Sequence, residues 1–324
     1  MNAEEIYRLA IEMGIKADPR SKKEVYRQLE KEKKQYEKLE KDDKEEFDPE
    51  RLVNPYPDTR FLTGSLKKKV KRVLVGIDID PAEVLLADRL MEKGKNIDLI
   101  ISHHPEGKAL ASLDKAMHLQ EDVMCKYGVP INVAEGLMSK RIAEVSRGIA
   151  PLNHNRVVDT ARLLDYPFIC VHTPADNLVY NFVDTFIERK NPETVGELVE
   201  ILKSIPEYKE ATKIKAGPRI FVGNKDGRAG KIAATEMTGG TSGAKEAYEK
   251  LSQAGVGTIV GMHMKETHKR EAEKHHINVV IAGHIASDSL GMNIFLDELE
   301  KKRIEIIPCS GLIRISRVKN RIKG

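Results

Sequence analysis

From residue 72 onward, short apolar runs alternate with longer stretches whose apolar positions recur every three or four residues. RVLVGIDI (72–79) is continuously apolar, as a strand covered on both faces would be. It passes into DPAEVLLADRLMEKG (80–94), where Asp80 is placed to cap a helix, Pro81 to open it and Gly94 to end it. The pattern then predicts a strand at 97–102, a helix near 112–127, a strand at 129–134 (VPINVA) and helical segments over 136–165. A strand at 166–171 and two helices within 178–203 follow. Short strands at 219–223 and 231–235 precede a Gly-rich stretch and a helix. A strand at 256–261, a helix at 265–275, a strand at 277–283, a helix at 284–300 and a strand at 303–308 complete the series. Strand alternating with helix predicts an α/β fold with mostly parallel sheets, in two α/β lobes with a less regular segment between them. No internal repeat is strong enough in sequence to indicate duplication.

Residues 1–60 read differently. SKKEVYRQLEKEKKQYEKLEKDDKEEFD (21–48) is mostly charged and rich in helix formers, with Val25, Leu29, Tyr36 and Leu39 near one stripe. A charged helical N-terminal arm is expected, either a solvated helix with one docking seam or an arm for oligomerisation or a partner. NPYPDTRFLTGS (54–65), with its prolines and glycine, reads as a linker. The domain reading is a charged arm at 1–60, a first α/β lobe at 61–177, an intervening segment at 178–235 and a second lobe at 236–324 that packs with the first.

Composition narrows the classes. The 324 residues are 40% hydrophobic and 32% charged, enough for a real core. A net charge of +4 does not call for nucleic acid as a partner. Cys125, Cys170 and Cys309 lie far apart without a CxxC pair, which argues against a disulfide framework and a thiolate zinc site. No apolar run approaches the ~20 residues that cross a bilayer, and MNAEEIYRLA lacks the apolar core of a signal peptide. The expectation is a cytoplasmic protein without a membrane partner.

Ligands of α/β sheets bind beyond the carboxyl ends of the strands. Histidine stands at three of them here. His103 and His104 follow 97–102, His172 and Asp176 follow 166–171, and His284 and Asp288 follow 277–283. A lone histidine in such a place is usually a hydrogen-bonded surface residue, and adjacent histidines on extended backbone point to opposite sides. His284 and Asp288 share one helix face at i and i+4. Taken together, imidazole and carboxylate donors suit Zn, Fe or Mn, in a number sufficient for two divalent ions sharing a carboxylate.

DLIISHHP (98–105), VHTPAD (171–176) and AGHIASD (282–288) resemble, in order, the motifs of the NIF-three-like family, many of whose members are called GTP cyclohydrolase type-2-like proteins. The similarity covers roughly residues 70–315. It implies a dinuclear metal centre at His103, His104, Asp176, His284 and Asp288, two α/β lobes around the metal cleft, and a ring-shaped homohexamer. Asp288 stands where the family usually has Glu, and the N-terminal arm is foreign to the family.

Thr238, Gly239, Gly240, Thr241 and Ser242, in TGGTSGAKEAY (238–248), offer backbone N–H groups for a phosphate. GNKDGRAGK (223–231) misses the phosphate-loop spacing and reads as a turn. His263 and His268 are candidates to reach the cleft, with His268 as general acid. His275 and His276 read as surface residues, and the basic RISRVKNRIKG (314–324) as a solubilising tail. The functional expectation is a metal-dependent hydrolase, GTP cyclohydrolase-like, acting on a nucleotide or phosphorylated small molecule. The alternative is a non-catalytic metal-binding oligomeric scaffold that delivers metal or docks a partner.

Overall fold

In the computed structural model, which describes residues 1–318, the strands are β1 (Arg60–Thr63), β2 (Arg72–Gly76), β3 (Leu99–Ser102), β4 (Phe168–Cys170), β5 (Arg219–Val222), β6 (Lys231–Glu236), β7 (Val256–Gly261), β8 (Asn278–Ile281) and β9 (Glu305–Cys309). They form two sheets, ordered β1-β4-β3-β2-β9 and β5-β8-β7-β6. All neighbours are parallel except the edge strands β1 and β5, which run antiparallel to β4 and β8. The mixed α/β class with two mostly parallel sheets is therefore as expected. Strands β2, β3 and β4 are buried on both faces, which is why they read as unbroken apolar runs.

The two sheets repeat one topology. Each has an antiparallel edge strand followed by the fourth, third and second strands of its own half. No extended sequence similarity accompanies this repeat. Strand β9 then leaves the second half and pairs in parallel with β2, so residues 305–309 complete the first sheet.

Three stretches depart from the sequence expectation. Residues 131–134, expected as a strand, open the helix Ile131–Ile149. The run is too short to fix its period, and Ala134, Met138 and Val145 bury one helical face. The expected linker contains β1 and a buried polar network: Arg60 bonds Asp48 at 2.8 Å and the Thr59 carbonyl at 2.8 Å. The expected arm divides in two. The helix Ala3–Ala17 buries Ile6, Ala10, Ile11 and Ile15 in a core shared with β2, β3 and the helix His284–Lys301. Charge belongs to the helices Lys22–Glu37 and Lys41–Glu46, where only Val25 and Leu29 of the stripe are buried. Of the basic tail, Arg317 binds the buried Glu207 at 2.7 Å and Arg314 binds Asp297 at 2.7 Å. Residues 319–324 lie outside the described residues.

Two glycines position the helices that carry the polar motifs. Gly283 has φ +110°, and a Cβ there would meet the Ala216 carbonyl oxygen at 2.3 Å. Gly291 lets the helix His284–Lys301 cross the helix Thr173–Lys190 closely, since a Cβ would lie 2.2 Å from the Ala175 carbonyl oxygen.

Candidate metal centre

The chain beyond β3 bends instead of alternating. The His103 and His104 N–H groups still donate to the Gly76 and Ile77 carbonyls, at 3.0 and 2.9 Å. The Ser102 hydroxyl donates to the His104 carbonyl and folds the next residues back. Both imidazoles therefore face Asp288: His103 Nε2 is 3.5 Å from Oδ1 and His104 Nε2 is 3.5 Å from Oδ2.

The other half of the cluster comes from the two helices that follow β4 and β8. His172 and Asp176 begin one, and His284 and Asp288 begin the other. These are the same motif, His-x-x-x-Asp, at equivalent places in the two repeated sheets. His284 Nε2 is 3.5 Å from Asp288 Oδ2. Asp176 Oδ1 is 3.4 Å from His103 Nε2, and its Oδ2 is 3.8 Å from His172 Nε2.

These separations are informative. They exceed the 2.7–3.2 Å of ordinary N–H···O bonds. They match the ~3.4 Å edge of a tetrahedron whose centre lies ~2.1 Å from each corner, the bond length of Zn to nitrogen or oxygen. Three triads each bring one donor atom per residue to within 4.8 Å of the others: His103, His104 and His172; His104, His284 and Asp288; and His103, Asp176 and Asp288. This buried His/Asp group could hold a metal ion. His103 Nε2, Asp176 Oδ1 and both Asp288 oxygens are buried without any hydrogen-bond partner. Four such orphans at one point would cost several kcal/mol if nothing satisfied them.

Three of the imidazoles are held by their other nitrogen. His103 Nδ1 lies 3.0 Å from the Val171 carbonyl, His104 Nδ1 2.6 Å from Asp78 Oδ1, and His172 Nδ1 2.8 Å from Asp58 Oδ2. Thr173 donates to the same Asp58 oxygen at 2.6 Å. Such partners protonate Nδ1 and leave Nε2 free to ligate. The electrostatics are those of a cluster short of positive charge. Burial pushes the Asp176 carboxyl up to about 8. Burial also opposes ionisation of Asp288, but His103 and His104 hold it well below the carboxylate range. Burial brings His103 down to about 4. His104 rises to about 10, because Asp288 and Asp78 outweigh its burial.

The structure thus brings together His103, His104, Asp176, His284 and Asp288. It adds His172, which was noted at a strand end but left out of the donor set. Its signal was the spacing it shares with His284 and Asp288. Asp78 was legible by the same strand-end rule, as it follows β2. Asp58 carried no such signal in its Pro-rich segment. His263 also reaches the cluster, with its ring centre 4.9 Å from that of His284.

The Gly-rich loop lines a cavity of about 30 Å³ together with His172, Asp176, His284 and Asp288. It does not open a helix directly, since Ala247–Gln253 starts five residues after Ser242. Its carbonyls are taken up by side chains. Gln120 Nε2 donates to Gly239 and Thr241, at 2.7 and 2.6 Å, and Arg141 Nε to Ser242 at 2.9 Å. Among the described residues, no backbone N–H from Gly239 to Gly243 finds a protein acceptor. Thr238 instead donates its hydroxyl to Asn177, at 2.6 Å. His268, the expected general acid, lies away from the cluster. It bonds the Gly243 carbonyl at 3.0 Å and borders a separate cavity of about 450 Å³ with Lys140, Lys245 and Lys265.

The chain is similar to the NIF3 superfamily protein from Sphaerobacter thermophilus. The two are 28% identical, with a TM-score of 0.70, over 79% of this chain and 92% of that one. Reduced HcgD from Methanocaldococcus jannaschii shares the fold, with a TM-score of 0.51 at 16% identity over 82% of this chain and 94% of that one. No protein-family model matches the chain, and no curated protein matches it. Among the described residues, no helix is long and apolar enough to cross a membrane.

Proposed function

We propose that this chain, which belongs to the NIF3 superfamily, is a hydrolase dependent on two divalent ions and acting on a nucleotide or phosphorylated small molecule. The observation that carries the reading is the convergence of buried, unpartnered donor atoms at tetrahedral-edge spacing. Asp288 has one oxygen toward His103 and the other toward His104 and His284, as a carboxylate shared between two sites would. The all-nitrogen-and-oxygen donor set suits Zn, Fe or Mn.

Bound divalent ions would supply Lewis acidity and ease deprotonation of water near neutral pH. The chain's own part is to orient and to bind. Asp58, Asp78 and the Val171 carbonyl fix the imidazole tautomers. The free N–H groups of Gly239 to Gly243 offer an anion site next to the cluster. His263 and His284 leave the cluster accessible on one side, since the His284 side chain is 40% exposed. That opening favours catalysis over metal storage in a closed cage. GTP cyclohydrolase-like opening of a purine imidazole ring is the specific reaction to assay. A homohexamer, as the resemblance implies, is checked by sedimentation of the same protein.

Elemental mass spectrometry on wild type, His103→Ala and Asp288→Glu tests the reading first. About two metals per wild-type chain are expected, with a clear loss in His103→Ala. Absence of metal from wild type under every loading condition would remove the hydrolase. Loaded protein that turns over no nucleotide would leave a metal-binding scaffold.

A further inference from the structure

The cavity of about 450 Å³ bordered by His268 shares no lining residue with the one at the histidine cluster. Thr238 to Ser242 wall the cluster side, and Gly243 and Ala244, the next two residues, wall this one. The two spaces are separate, with the loop between them. The larger one is cationic. Lys140 and Arg141 reach it from the helix Ile131–Ile149, Lys245 from the end of the loop, and Lys265 from the start of the helix Glu266–Lys274. Four cations stand against two carboxylates, Glu144 and Glu246, a surplus of two positive charges. Glu144 is already paired with Arg141 Nη1, at 2.8 Å. Lys140, Lys245 and Lys265 are exposed, and no ion pair holds them among the described residues.

Like charges brought from three elements to one concavity repel one another unless an anion lies among them. The backbone adds to the same field. The helix Glu266–Lys274 begins at the cavity wall and has no side-chain cap. Among the described residues, the Glu266 and Thr267 N–H groups find no protein acceptor. A bare helix start carries partial positive charge and free donors. His268 lines the cavity and is 5% exposed. Its Nε2 donates to the Gly243 carbonyl at 3.0 Å, and its Nδ1 has only the Thr267 hydroxyl, 3.4 Å away and beyond the ordinary range. The Thr267 hydroxyl is thereby left for a ligand.

We infer that this cavity is a second anion site, for a di- or triphosphate group, apart from the reaction centre and from the loop N–H groups that face it. The inference does not depend on the metal-centre reading. Three lysines around one space suit phosphate, which takes point charges from several directions. Their spread over three elements calls for an anion with several charges. Arg141 links this site to the cluster. Its Nε donates to the Ser242 carbonyl at 2.9 Å, and the Ser242 hydroxyl lies 3.2 Å from His263 Nδ1. An anion that engages Arg141 therefore acts on the far wall of the metal cavity, which is the place of an effector.

The test titrates full-length protein, stripped of metal by chelator because triphosphate sequesters metal, with inorganic triphosphate and separately with orthophosphate, by isothermal calorimetry. Wild type is expected to bind triphosphate more tightly than orthophosphate, and more weakly as salt rises. The double variant Lys140→Ala/Lys265→Ala cancels the surplus charge and should weaken triphosphate binding at least about tenfold. Lys93→Ala/Lys95→Ala makes the same change in net charge at exposed positions outside the cavity and should leave binding within about twofold. All four positions are exposed, and melting curves establish that the variants are folded. Pyrophosphate and ADP, titrated in parallel, tell a bare chain from one carried on a nucleoside, and loss of either in Lys140→Ala/Lys265→Ala upholds the site. Absence of triphosphate binding in wild type, or equal weakening in the two double variants, overturns the inference. So does full binding in Lys140→Ala/Lys265→Ala, which would put the anion on the loop N–H groups at the cluster. Metal content, measured before stripping, reports on the metal centre separately.

Discussion

Gly291→Ala adds one methyl group outside the donor set, and it should cost the protein at least one metal ion. The new Cβ would lie 2.2 Å from the Ala175 carbonyl oxygen and 2.9 Å from its carbon. Relaxed C···O contacts begin at about 3.3 Å. The obstacle is backbone on another helix, so no rotamer relieves it, and the helices must part by about 1 Å. Asp176 follows Ala175 directly, and Asp288 lies one turn before Gly291. His103 Nε2 now stands 3.4 Å from Asp176 and 3.5 Å from Asp288, and it cannot keep both distances if the helices separate. Metal–ligand bonds tolerate about ±0.2 Å, so the displacement is roughly five times the tolerance. The over-packing itself should destabilise the fold by about 1–3 kcal/mol. The assay is metal content per chain, paired with melting curves in chelator and in saturating Zn. The variant should melt lower in chelator, and the increment that Zn adds should shrink. If Gly291→Ala took up metal as wild type does, the helix crossing would not be what sets the donor spacing.

Asp58→Asn keeps the shape but removes the charge that orients His172, so metal affinity should fall about 10–100-fold, read by competition with a chromophoric chelator. An unchanged affinity would remove His172 from the donor set. Arg60→Met strips a buried guanidinium from Asp48 and from the Tyr56 and Thr59 carbonyls, at about 3 kcal/mol of stability by denaturant titration. Burial works against ionised Asp48, but Arg60 and Lys108 hold its carboxyl below the ordinary 3.8. Its stabilisation is therefore complete above that value and is lost as pH falls through the depressed one. Wild type should lose this increment in acid, and Arg60→Met should lose a smaller one, because Lys108 and the Glu50 N–H still act on Asp48. His268→Gln should leave metal content unchanged, because His268 bonds the Gly243 carbonyl and touches no donor; depleted metal would place it in the centre after all.

What the sequence showed of this site follows from one rule and its reach. Apolar runs that end in His103, in His172 and in His284 are strand ends; the ends of β3 and β4 are neighbours in the first sheet, and His284 joins them from the end of β8 in the second. The same rule covers Asp78, beyond β2, and was applied too narrowly there. It does not cover Asp58, which acts from the far side of His172 and belongs to a segment whose prolines mimic a linker. The helix Ala3–Ala17 had a legible stripe in Ile6, Ala10 and Ile11, but the charged residues after it dominated the reading of the whole stretch. The run at 129–134 had no decisive period. Its helical fate was settled by Met138 and Val145, further along the chain.

The pairing of β9 with β2 was not legible at all, because it joins residues some 230 positions apart and leaves no local mark. It nevertheless matters to the site. The helix His284–Lys301 carries Asp288 at its start and delivers the chain to β9 at its end. Its first turn follows the second sheet, and its last residues feed the first sheet. Leu296 and Leu299 are buried in the core of that first sheet, while Ala286 and Leu290 belong to the core of the second. Asp288 is thus fixed from both lobes at once. A carboxylate that must present one oxygen to His103 and the other to His104 and His284 needs that constraint, because the imidazoles come from different halves of the repeat. The long-range pairing that sequence could not reveal holds in register the short motifs that it could.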